Sequence, residues 1–83
     1  MNPTLMQLRI NLFNRKKNYS EKELKIKRLF FELQTLANPY YETIEDIKSE
    51  EILQCAQDMQ ETKNELISLE QKIKSLKREL GEN

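Results

Sequence analysis

Apolar residues recur along the second half of the chain at alternating steps of three and four. Ile52, Met59, Leu66, Ile73 and Leu80 hold one position of a seven-residue repeat, and Cys55, Thr62, Leu69 and Leu76 hold the other. This spacing keeps a single seam of a helix turned towards a partner and favours coiled-coil packing. A shorter helix is predicted over residues 21–37, because Ser20-Glu21-Lys22-Glu23 fits a capping box and an apolar stripe follows it. That stripe is Ile26, Leu29, Phe30, Leu33, Leu36 and Ala37. Leu24 and Phe31 lie on the other side of the same helix, one heptad apart. A helix that is apolar on its front and carries such a pair on its back is expected to touch something on both sides.

The two predicted helices meet at Asn38-Pro39. Proline disfavours helical geometry in the residue before it, so the first helix is expected to stop near Ala37. The same pair serves as cap and first position of a second helix over 39–80, with Tyr40, Ile44 and Ile47 beginning its stripe. Between Ile47 and Ile52 the stripe slips by one residue. No glycine or proline lies there, which favours a continuous helix, and Ser49-Glu50-Glu51 leaves a restart open. Lys77 and Arg78 suit the negative end of the helix, and Gly81 suits a left-handed cap.

Residues 1–14 admit two patterns. As a helix opened by Asn2-Pro3, Leu5, Leu8 and Leu12 share one face while Met6, Ile10 and Phe13 share the opposite one. As a strand, Met6, Leu8, Ile10 and Leu12 alternate with polar residues. Helix is preferred, since leucine, methionine and glutamine favour it and only Ile10 is β-branched. Asn14 to Tyr19 reads as a basic connector.

The expected fold is therefore all-α: one helical domain over residues 1–83, a helical hairpin whose long C-terminal coiled-coil helix assembles into a small helical bundle. From Ile52 to Leu80 a helix spans about 43 Å, against about 25 Å for residues 21–37. The long helix should overhang the short one, exposing Leu66, Leu69, Ile73, Leu76 and Leu80 for oligomerisation. The hairpin core is expected to be Ile26, Leu29, Phe30, Leu33, Leu36, Ile44, Ile47, Ile52 and Met59. A parallel dimer of the long helix would set Glu65 against Glu70 and Lys72 against Lys77, so an antiparallel homodimer is expected, with another protein as a further partner.

Charge sharpens this picture. Lysine and arginine balance aspartate and glutamate at 14 each, yet residues 1–38 carry a net +5 and residues 39–83 a net −5. Halves of opposite sign suit a chain that folds back on itself or meets its own copy. The basic residues Arg15, Lys16, Lys17, Lys22, Lys25 and Arg28 are the candidate contacts for nucleic acid, the alternative function. Internal pairing with Asp58 and Glu61, opposite in a hairpin turning at Pro39, or a simply solvated face, is preferred. A basic-zipper reading fails because acids, not bases, lead into the heptads.

Other chemistry is thinly represented. The chain has no histidine and one cysteine, which removes a Cys/His zinc site and an internal disulfide. Cys55 lies on the seam and is expected to be a small buried residue. Asn38-Pro39-Tyr40-Tyr41 matches the short N-P-x-Y signal bound by phosphotyrosine adaptors, but a helix-start role accounts for Asn38 and Pro39, with both tyrosines packing at the corner. No catalytic, cofactor-binding or metal-ligating residues are assigned, since exposed helix acids without a cleft lack the environment that tunes a catalytic pKa. The segment Leu5 to Phe13 is too short and too polar to cross a membrane, no secretory signal is recognisable, and a cytoplasmic protein is expected. The sequence points to a non-enzymatic interaction module, an adaptor, regulator or inhibitor.

Overall fold

The computed structural model describes residues 4–81 and consists of two long helices joined by an irregular turn. Helix α1 runs Leu5–Leu36 and helix α2 runs Ser49–Glu79, with a single 3₁₀ turn at Ile44–Asp46 between them. The helices pack side by side as a hairpin, with no strand among the described residues. The rod measures 62 × 17 × 17 Å.

The segment expected to be a basic connector is part of the first helix. Asn14 to Tyr19 is helical, and so is the predicted capping box at Ser20 to Glu23, both lying inside α1. Nothing in Asn-Arg-Lys-Lys-Asn-Tyr stops a helix: it has no proline, glycine or β-branched residue, and arginine and lysine propagate helices well. The helix starts at Thr4, whose hydroxyl accepts from the Gln7 amide at 3.1 Å. Asn2 and Pro3, expected to open it, lie outside the described residues.

The long helix starts later than its stripe predicts. It begins at Ser49, not at Pro39. The Asn38 side chain accepts from the Tyr40 amide at 3.0 Å, a local turn that competes with helix initiation. Thr43 and Asp46 then form their own turn, the Thr43 amide donating to the Asp46 carboxylate at 3.0 Å. Ile44 and Ile47 were expected in the core and are exposed, Ile44 by 71%. Tyr40 and Tyr41 do not pack at the corner either, Tyr40 being 87% exposed. The far end matches expectation: Lys77 and Arg78 occupy the last turn, and Gly81 adopts φ +74°, the left-handed region that glycine enters without a Cβ clash.

Continuity of α1 through Asn14 to Tyr19 also changes which helix is longer. With 32 and 31 residues, the helices are of nearly equal length, so α2 has no overhang. The seam read from the heptads is the face that α2 turns to α1. Cys55, Thr62 and Leu69 are buried, while Ile52, Met59, Leu66, Ile73, Leu76 and Leu80 are half-buried. The end of the seam assigned to oligomerisation thus packs inside the chain, against the N-terminal half of α1. From α1, Leu12 and Leu29 are buried, with Leu8, Tyr19, Ile26, Leu33 and Leu36 half-buried beside them. Phe30, expected in the core, points outward. The seam on α1 keeps the same three-four alternation along its length, with Arg15 and Lys22 filling two of its positions.

Candidate interaction surface

At the inner seam, Thr62 and Cys55 each find a backbone carbonyl, one within its own helix and one across the interface. Thr62 has no exposed surface, and its hydroxyl donates to the Asp58 carbonyl one turn earlier at 2.8 Å. That bond lets a polar residue occupy the most enclosed position. The Cys55 thiol donates to the Leu29 carbonyl across the interface at 3.3 Å. Burial pushes the thiol pKa up, and the charges of Glu32 and Asp58 push it further the same way. A thiol held protonated is a poor nucleophile, so Cys55 is a packing residue.

The seam also accommodates a charge. Lys22 reaches Glu65 on α2 with Nζ–Oε2 at 2.6 Å. A two-helix interface is narrow enough for a lysine stem to lie along it while the ammonium meets an acid at its edge. The bond from Lys22 holds the Glu65 carboxyl below the usual carboxylate range, opposed by desolvation and reinforced by the charges of Lys22 and Lys25. The predicted partners of this basic stretch, Asp58 and Glu61, are displaced. The chain turns near residue 43 instead of at Pro39, which brings Lys22 to Glu65.

The remaining basic candidates do not gather on one face. Arg15 lines a shallow groove between the helices with Asn11, Ser68, Gln71 and Lys72. Lys16, Lys17 and Arg28 point elsewhere around α1 and are exposed, and Lys25 is half-buried near Glu65. Lys27, on the same helix, pairs with Glu23 at 4.0 Å. Among the described residues, no group of three His, Cys, Asp or Glu side chains is arranged to hold a metal, and no helix is long and apolar enough to cross a membrane.

The outer side of α1 is where apolar surface accumulates. Phe13 is 68% exposed, Leu24 63% and Phe31 70%, with Met6 and Ile10 exposed on the same line. These residues fall at alternating steps of four and three, interrupted by Lys17, Ser20 and Lys27, and the line lies almost opposite the inner seam. The sequence placed Met6, Ile10 and Phe13 on one face and Leu24 and Phe31 on a back face. The continuity of α1 joins these into one stripe, which a break at Asn14 would have divided. The outer side of α2 has no counterpart: Leu53 and Ile67 are exposed there, four turns apart and separated by polar residues. The chain matches no protein-family model, no curated protein and no solved structure.

Proposed function

We propose that the chain is a non-enzymatic helical interaction module, an adaptor, regulator or inhibitor, that pairs its helices in coiled-coil fashion and docks a protein on the outer stripe of α1. One observation carries this reading. Helix α1 spends one face on α2 and leaves a second apolar face, Met6 to Phe31, in solvent. Scattered apolar residues on a surface need no explanation, but a line of them at helical spacing is what partner helices recognise. The thinness of the rod supports the same reading. Among the described residues the buried apolar side chains are Leu12, Leu29, Cys55 and Leu69, a core of the size that small domains supplement by association.

The oligomerisation face expected at Leu66 to Leu80 is accordingly moved from α2 to α1. The test is affinity capture from the source cell with two baits, the wild-type chain and Phe13→Glu/Leu24→Glu. Proteins retained by the first and lost by the second, with bait helicity unchanged by circular dichroism, are the expected outcome. Identical captured sets would contradict the reading.

A further inference from the structure

The outer stripe of α1 carries enough pattern to name its occupant. We propose that it is covered by the same stripe of a second copy, the two α1 helices running antiparallel with their register centred between residues 18 and 19. This rests on the reading of that stripe as an interaction surface and adds the partner and the geometry. The four helices would then lie side by side, the two α1 helices inside and the polar outer faces of the two α2 helices outside.

The lysines within the stripe select the direction. In a parallel pair, Lys17 would face Lys17 and Lys27 would face Lys27 at central positions, where like charges are desolvated together. Running antiparallel in the stated register, Phe13 lies against Leu24 of the second copy and Met6 against Phe31. Lys17 faces Ser20. Lys27 lies across from Ile10, its stem on the apolar surface and its ammonium at the edge beside Glu23 of its own helix, which lies between it and Lys16 of the second copy.

The flanks select the register. On one side, Lys16 meets Glu23 of the second copy, and the two-fold axis makes this pair twice. Arg9 reaches Phe30 on the same side, a cation over an aromatic ring. That gives Phe30, 52% exposed and outside the hairpin core, a position at the interface. On the other side, Asn14 meets Glu21 and Gln7 meets Arg28, so no like charges are opposed. Sliding one heptad in one direction opposes Lys17 to Lys27 and Glu23 to Glu23. Sliding one heptad in the other opposes Lys16 to Lys16. Of these three, only the central register is free of repulsion, and it sets both Phe13 against Leu24 and Met6 against Phe31, whereas the slide that opposes Lys17 to Lys27 keeps Phe13 against Phe31 alone.

The experiment uses the purified full chain and reads mass by sedimentation equilibrium, with helicity as the control. Wild type is expected to have twice its 10.0 kDa chain mass. Lys16→Glu alone and Glu23→Lys alone are each expected to weaken the dimer by about tenfold, since each converts two attractions into two repulsions. Mixing these two variants in equal amounts is expected to restore a dimer of wild-type affinity, now mixed, because every facing pair is again of opposite sign. This test leaves the apolar residues intact and is independent of whether a stripe variant folds. A monomeric wild type, or a dimer indifferent to both single changes, would overturn the proposal. So would a wild-type chain that stays monomeric and instead binds vesicles of anionic lipid through Phe13 and Leu24. A monomeric wild type that still loses captured proteins on Phe13→Glu/Leu24→Glu would remove the second copy but leave the interaction module standing. Loss of neither mass nor captured proteins would remove both.

Discussion

The two faces of α1 are built from the same kinds of residue and meet different fates. Leu12 and Leu29 are buried against α2, whereas Phe13 and Leu24, neither less apolar nor smaller, stand in solvent. Spacing separates them. The inner line keeps step with the seam of α2, and the outer line, displaced around the helix, has nothing in the hairpin to meet. Helix α2 differs, since its seam is equally regular while its back carries Leu53 and Ile67 four turns apart with polar residues between them. A chain of two helices needs one apolar face on each to close. The extra face on α1 is surplus to folding, which is why it is the place to look for association.

Charging the inner seam is expected to have the largest effect. Leu69→Asp with Ile73→Asp places two carboxylates between the helices and is expected to abolish the hairpin, read as loss of cooperative melting and of most helical circular dichroism. Retention of a cooperative melt would mean that the seam is not where the fold is held. A milder version separates the two faces quantitatively. Leu29→Ala removes a buried side chain and is expected to cost about 2–4 kcal/mol. Leu24→Ala removes an exposed one and should change the stability of the dilute monomer by less than about 0.5 kcal/mol. Urea titrations of both at low protein concentration provide the check, and equal losses would erase the distinction between inner and outer faces.

The smallest effect concerns the charge at the edge of the seam. Because Lys22 lowers the folded-state pKa of Glu65, this pair contributes stability above the unfolded carboxylate pKa of about 4.3 and loses it as pH falls through the folded value. Glu65→Gln is therefore expected to lower the melting temperature slightly at pH 7 and to be indistinguishable from wild type near pH 2. The pair is partly exposed, so screening keeps its contribution below that of the core residues and 1 M salt should diminish it further. A difference that grew on acidification would contradict the assignment.

Much of this was legible in the residues. The seam of α2 was readable because its heptads are filled by Leu, Ile, Met, Cys and Thr without a charge, and all nine are buried or half-buried in the hairpin. The seam of α1 was hidden because Arg15 and Lys22 occupy two of its positions and broke the apolar count. Their long stems make them acceptable in an interface only two helices thick, a property that a tally of hydrophobic residues does not register. The signal that would have found it is the unbroken three-four step from Leu8 through Leu12, Tyr19, Ile26 and Leu29 to Leu36, with the two basic residues admitted as members. Residues 38–48 misled in the opposite way. Tyr40, Ile44 and Ile47 have helical spacing, but side-chain bonds from Asn38 and Asp46 hold local turns there instead. The back face of α1 was recognised at Leu24 and Phe31, yet its extent became apparent only when the helix proved continuous through Asn14 to Tyr19.

The most direct test of the surplus face is a paired measurement of mass and helicity on Phe13→Glu/Leu24→Glu beside wild type at equal concentration. A wild-type dimer and a variant monomer whose circular dichroism stays helical are expected, because neither residue belongs to the inner seam. A variant that remained dimeric with its helices intact would show that the chain associates through another surface.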